Sequence, residues 1–156
     1  MKSELLTLGF AKNSWCHPVV EQYEKKISPL MPLEMRYLKI SSYGRKNREE
    51  ALRESDRTFL RAMEDKALQI CFDERGKTLS SIEFSKSVSR ALESGKQKIQ
   101  WLVGGPFGLG PEVRDKCSLN VSLSSLVMNQ QVATVVALEQ IYRGLNIRAG
   151  LPYHNI

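Results

Sequence analysis

Histidine and cysteine are scarce in this chain. His17 and His154 are its two imidazoles, and Cys16, Cys71 and Cys117 its three thiols, among 156 residues. The thiols are widely spaced and form no Cys-x-x-Cys pair, so no zinc site or other metal centre is expected. An odd, scattered set also excludes a disulfide framework and reads as reduced, which suits the cytoplasm. Long apolar runs are lacking as well. Nowhere do 18 apolar residues follow one another, and Glu4 breaks the short apolar run at the start, so neither a membrane span nor a signal peptide is expected. Acidic residues are in deficit, 17 against 23 lysines and arginines, for a net charge of +6. That excess favours an anionic partner, with nucleic acid foremost. The remaining composition, 42% hydrophobic and 26% charged, excludes intrinsic disorder, and the length suits one domain rather than two catalytic ones.

Read along the chain, strand and helix patterns alternate. Leu5, Leu6, Leu8 and Phe10 predict a buried strand, ended by Lys12, Asn13 and Ser14. Pro18 suits the first turn of a helix over residues 19–27, where its missing N–H costs nothing. Residues 33–40 read as a second strand and 41–48 as a basic loop, in which Arg45, Lys46 and Arg48 are candidate phosphate contacts. Leu52, Phe59, Leu60 and Met63 recur at helical spacing and predict a long surface helix over 49–66. A third strand over 67–72 is followed by a turn at Asp73-Glu74-Arg75-Gly76-Lys77. Ser80 and Glu83 have the capping-box spacing that opens a helix, expected to run to about residue 93 and to end at Gly95. A fourth strand over 99–103 leads into four glycines in seven residues, Gly104 to Gly110. A short helix over 111–116, a fifth strand over 119–123, a loop and a very apolar helix over 132–145 complete the pattern. That last helix needs burial on more than one face, between layers or at a subunit interface. Alternating strands and helices predict an α/β fold with a mainly parallel sheet, and ligands of such sheets bind at the strand carboxyl ends. The glycine turn after Val103 and the serine-rich loop after Leu123 lie at such ends.

The glycine turn lacks the Gly-Lys-Ser/Thr ending of a Walker loop. It also misses the Gly-x-Gly-x-x-Gly register of a dinucleotide fold, which belongs to the first unit of the sheet rather than the fourth. What it permits is close approach of backbone to a ligand or another chain. Ser122, Ser124 and Ser125 have no His and Asp in local support of a hydrolase triad. His17, at a helix entry, reads as a surface residue. The tail places a proline, an aromatic ring and an imidazole together at Pro152, Tyr153 and His154.

Four segments in their order and spacing carry a resemblance: Val103-Gly104-Gly105-Pro106-Phe107-Gly108-Leu109, Ser122-Leu123-Ser124-Ser125-Leu126, Leu138-Glu139-Gln140-Ile141-Tyr142-Arg143, and Pro152-Tyr153-His154. Together they resemble the ribosomal large subunit methyltransferase H family of bacteria, of the SPOUT class, from the opening strand through Trp15 and Tyr23 to the end. The resemblance implies one SPOUT domain over residues 1–156, a C-terminal trefoil knot, a homodimer, and S-adenosylmethionine-dependent methylation of N3 of a pseudouridine in 23S ribosomal RNA on the assembled particle. It places the cofactor against Phe72, Gly104, Leu123, Ser124, Ser125, Leu126, Val127 and Met128. Methyl transfer from a sulfonium demands a close, in-line approach and loss of the N3 proton. Tyr153 is expected to stack on the target base, and His154 to orient or deprotonate it. Polar and cationic residues usual in the family are replaced here by Val127, Met128, Asn129, Gln130, Thr134 and Asn155. Arg143, Arg148, Arg45 and Lys46 are the expected RNA contacts that could compensate. Two other readings compete with the enzyme: a non-catalytic RNA- or ribosome-binding protein that keeps the fold, and a small-molecule enzyme with a glycine-rich nucleotide pocket.

Overall fold

The alternation read from the sequence becomes an alternation of elements. The computed structural model describes residues 1–40 and 47–155. Strands β1 (Lys2–Leu8), β2 (Leu33–Leu38), β3 (Leu68–Thr78), β4 (Lys98–Val103) and β5 (Leu119–Ser122) are interleaved with helices α1 (Cys16–Ile27), α2 (Arg48–Ala62), α3 (Ser81–Glu93), α4 (Pro111–Lys116) and α5 (Gln130–Arg148). The strands form one sheet in the order β2-β1-β4-β3-β5, and every pair is parallel. All strand carboxyl ends therefore lie along one edge. Among the described residues no helix is long and apolar enough to cross a membrane.

Because neighbouring strand residues face opposite sides, each strand feeds two cores. Leu5, Ile70 and Trp101 point to the side covered by α1, α3 and α5, while Leu6, Cys71 and Leu102 point to the side of α2 and α4. Trp101 is wholly buried with its ring 6.3 Å from Phe72 and 6.2 Å from Phe84. The apolar helix α5 lies between α1 and α3 against the sheet, with Leu138, Ile141 and Leu145 inside. Ser85 Oγ donates to the Gly144 carbonyl at 2.7 Å, which locks α3 to α5.

Several boundaries follow the local signals. The capping box closes at the start of α3, with the Ser80 N–H donating to Glu83 Oε2 at 2.7 Å and the Glu83 N–H to Ser80 Oγ at 3.2 Å. Gly95 takes φ +78° just past the end of that helix, and α4 covers the expected residues. Others correct the reading. Residues 73–77 do not leave the sheet: both Phe72 and Lys77 pair with Val121, so the expected turn is a bulge inside a strand of 11 residues. Helix α2 ends at Ala62, four residues early, because the Glu64 N–H is taken by Gln100 Oε1 at 2.8 Å. The loop before α5 is shorter than expected and the helix longer, from Gln130 to Arg148.

Candidate active site

At the carboxyl edge, the end of β3, the turn after β4 and the loop after β5 enclose a cavity of about 180 Å³. Phe72, Gly104, Leu123, Ser124, Leu126, Val127 and Met128 line it, and Ser125, exposed, does not. Seven of the eight expected cofactor contacts therefore meet in one place. A wider apolar groove of about 590 Å³, between α3 and the β3–β5 edge, holds none of them.

One wall of the cavity is the glycine turn after β4. The Gly108 N–H donates to the Gly105 carbonyl at 2.9 Å, and Gly108 has φ +76°, a conformation open to glycine. A Cβ on Gly104 would lie 2.5 to 2.9 Å from Gly108 backbone atoms, so the turn closes only without one. From outside, Asp56 Oδ1 accepts the Gly110 N–H at 2.8 Å and the Arg114 guanidinium donates to the Leu109 carbonyl at 2.6 Å. Burial pushes the Asp56 carboxyl above the usual range, and the Gly110 N–H only partly offsets this. The opposite wall is set by Ser124, whose hydroxyl accepts the Leu126 N–H at 2.9 Å, and by the Asn129 cap on the Val132 N–H at 2.9 Å. Gln130 Nε2 donates to the Leu8 carbonyl at 2.7 Å and to Thr7 Oγ1 at 3.1 Å, tying the start of α5 to the end of β1. Thr134 is buried and bonds the Gln130 carbonyl at 2.8 Å. These two departures from the family pattern thus serve as structural ties.

Sequence reasoning missed part of the lining: Arg48 was placed in the preceding loop, and Asp73, Glu74 and Arg75 were assigned to a turn, yet all four border the cavity. The Asp73 side chain is 3% exposed and its Oδ1 accepts the Arg75 N–H at 3.0 Å. The signal available was the glycine, Gly76, whose Cβ would meet Asn120 and Val121 backbone at 2.6 to 2.7 Å and so marks a close strand contact rather than a free turn.

The tail is elsewhere. Tyr153 Oη donates to Glu139 Oε2 at 3.0 Å, its ring lies 4.7 Å from the Arg143 guanidinium carbon and 4.6 Å from the Tyr142 ring. His154 Nδ1 is 3.4 Å from Arg143 Nη1. Glu139 stands nine residues beyond Gln130, roughly 14 Å along α5 at about 1.5 Å per residue, and neither Tyr153 nor His154 lines the cavity of its own chain. Arg143 is engaged within its own chain: its Nε donates to Glu139 Oε1 at 3.0 Å, its Nη2 donates to the same oxygen, and its Nη1 faces His154. Arg148 is exposed at the far end of α5. Arg45 and Lys46 lie outside the described residues. Glu139 also accepts from Tyr23 Oη at 2.8 Å. Burial alone would raise the Glu139 carboxyl, but the hydrogen bonds from Tyr23, Arg143 and Tyr153 outweigh it and hold it below the usual carboxylate range. Partial burial, together with the hydrogen bond to that carboxylate, pushes Tyr23 up to about 12.

An all-parallel sheet carrying at its carboxyl edge a cavity bordered by a glycine turn, apolar side chains and the charged Arg48, Asp73, Glu74 and Arg75 defines an α/β protein with a candidate ligand site where such sheets bind ligands. The family model described as "Predicted SPOUT methyltransferase" matches residues 1–154. Over 156 residues, all of both chains, this protein is 40% identical to the ribosomal RNA large subunit methyltransferase H of Bdellovibrio bacteriovorus. Against the protein of that name from Desulfotalea psychrophila the identity is 31% over 154 residues, 99% of each chain. Among solved structures it is similar in fold to a probable methylase family protein from Haemophilus influenzae, with a TM-score of 0.55 at 12% identity, covering 99% of this chain and 70% of that one. The chain belongs to the SPOUT methyltransferase family and, within it, to the ribosomal RNA large subunit methyltransferase H family.

Proposed function

We propose that this protein methylates N3 of a pseudouridine in 23S ribosomal RNA, using S-adenosylmethionine, on the large subunit or whole ribosome in the cytoplasm. The observation that carries the reading is the convergence of Phe72, Gly104 and the Leu123 to Met128 loop on one cavity in a chain of this family. The residues fit the cofactor: a glycine turn that a Cβ would block suits backbone contact, and apolar walls suit an adenine. Phe72, Gly104, Leu123, Ser124, Leu126, Val127 and Met128 would hold it, with Ser125 alongside in the same loop. When bound, it supplies an electrophilic methyl group on a sulfonium. The chain's own part is to fix the base in line with that group, and such positioning is worth roughly 7 to 11 kcal/mol in favourable cases. Tyr153 contacts the target base, and His154 orients it or takes its N3 proton.

The working unit in this reading is a homodimer with a knotted C-terminal segment, the tail of one protomer closing over the cavity of its partner. Support comes from the distance between tail and cavity within one chain and from apolar side chains left exposed, Leu126 at 78% and Val127 at 81% on the cavity and Trp15 at 53% before α1. Arg143, Arg148, Arg45 and Lys46 serve as the contacts to RNA phosphates in this reading. Titration calorimetry with S-adenosylmethionine, followed by transfer of labelled methyl to ribosomes and mass mapping of the product nucleotide, tests the proposal. Micromolar binding and one N3-methylated pseudouridine are expected. No binding at millimolar cofactor overturns it and leaves the non-catalytic RNA-binding reading, and methylation of a small molecule without ribosomes overturns the RNA substrate.

A further inference from the structure

The contacts of the tail restrict what His154 can do. A guanidinium presents N–H groups and no acceptor. With Arg143 Nη1 3.4 Å from Nδ1 of His154, Nδ1 must accept, and the hydrogen of the neutral ring sits on Nε2. Arg143 is itself held: its Nε and Nη2 both donate to Glu139 Oε1, and Glu139 is fixed in turn by Tyr23 from α1 and Tyr153 from the tail. Tyr23 and Arg143 thus both donate to Glu139, and Arg143, anchored by that carboxylate, donates to His154, whose N–H is left on Nε2. A base in that position would need the opposite arrangement, with the lone pair on Nε2.

We propose that the Glu139–Arg143 pair sets the tautomer of His154, so that Nε2–H donates a hydrogen bond to a carbonyl oxygen flanking N3 of the target base. His154 is then not the acceptor of the N3 proton. The inference rests on the reading of the tail given above and deepens it. Loss of the N3 proton leaves an imide anion whose charge spreads onto both neighbouring carbonyl oxygens, and a fixed donor there stabilises it. The proton leaves to solvent water. The N3 lone pair forms the new N–C bond while the C–S bond breaks and its pair remains on sulfur. His154 is the catalytic residue in this scheme, and Glu139 and Arg143 are positioning residues.

Two histidines make the test direct. In ¹⁵N-histidine-labelled protein at pH 8.5, His17→Gln assigns the two rings, and proton–nitrogen correlation spectra read the tautomer with neither cofactor nor RNA present. His154 is expected as the pure Nε2–H form in the wild type. In Arg143→Met it moves toward the mixture given by the urea-unfolded chain. Hydrogen on Nδ1, or an unfolded-like mixture in the wild type, overturns the proposal even if the variant fails to fold. The donor role is read from two substitutions. Glutamine can present an amide N–H near the same place but cannot take a proton at this pH. Measured on ribosomes, kcat of His154→Gln is expected within about tenfold of wild type, and that of His154→Ala to fall ~10² or more, the usual loss for such a donor, with KM for ribosomes little changed. Equal losses in both variants overturn the donor role and return His154 to a base. No loss in either also overturns it, and the tail reading with it, while the cofactor titration still reports on the rest.

Discussion

Substituting Gly104 by alanine probes the glycine turn of the cavity most directly. The added Cβ would sit 2.5 Å from the Gly108 carbonyl carbon, 2.6 Å from its oxygen and 2.9 Å from its Cα. All three are backbone atoms, so no rotamer change relieves the contact. The turn must open by ~1 to 1.5 Å to bring the shortest contact to ordinary packing distance. Overpacking of this kind costs about 1 to 3 kcal/mol, which for a chain of this size lowers Tm by roughly 3 to 10 °C. The same displacement takes a wall of the cavity out of register. Losing one hydrogen bond to the cofactor, worth about 1 to 1.5 kcal/mol, weakens binding about tenfold. Titration calorimetry with S-adenosylmethionine and thermal unfolding of Gly104→Ala measure both effects. Gly9→Ala is the control, because its Cβ meets only the Leu38 carbonyl oxygen at 3.8 Å, an ordinary contact. Wild-type affinity and Tm in Gly104→Ala would refute the reasoning, as would equal damage in the control.

Other expectations follow from the same geometry. Asp56→Asn keeps an oxygen for the Gly110 N–H and removes a charge whose burial raises its pKa, so it is expected to be neutral or stabilising at pH 7; Asp56→Ala orphans the N–H and loses about 1 to 3 kcal/mol in urea unfolding. The sign for Glu139 is the reverse. Its folded pKa is depressed, so its contribution is fully present above the ordinary carboxylate range and lost as pH falls below it; limited proteolysis of the tail should quicken on acidification in that range, and the acid dependence should flatten in Glu139→Gln. Arg148→Ala should weaken ribosome binding and reduce the slope of log affinity against log salt by about 1, leaving cofactor affinity unchanged.

Much of the framework was legible because its signals are local. Ser80 and Glu83 cap α3 through neighbours three residues apart, and Pro111 opens a helix whose limits match the reading. The parallel sheet followed from alternation, and the cavity from strand ends. The rest depends on partners far away in sequence. Gln100 cuts α2 short from 36 residues away, and no pattern within that helix announces it. Gly76 reads as turn chemistry until Asn120 and Val121 are laid against it. Arg143 reads as a surface cation because the group that binds it, Glu139, is itself oriented by Tyr23, 116 residues distant. The place of the tail depended on the same cluster, so its separation from the cavity could not be read from Pro152-Tyr153-His154 alone.

If the tail serves the cavity of a partner, as proposed above, that separation makes the two halves of the active centre genetically divisible. A subunit crippled at Gly104 still owns a sound tail, and one crippled at His154 still owns a sound cavity. In the homodimer proposed above, an inactive cavity variant and an inactive tail variant, mixed and allowed to exchange, are expected to rescue each other: about half the pairs would be hybrids with one working centre of two, so roughly a quarter of wild-type turnover should return.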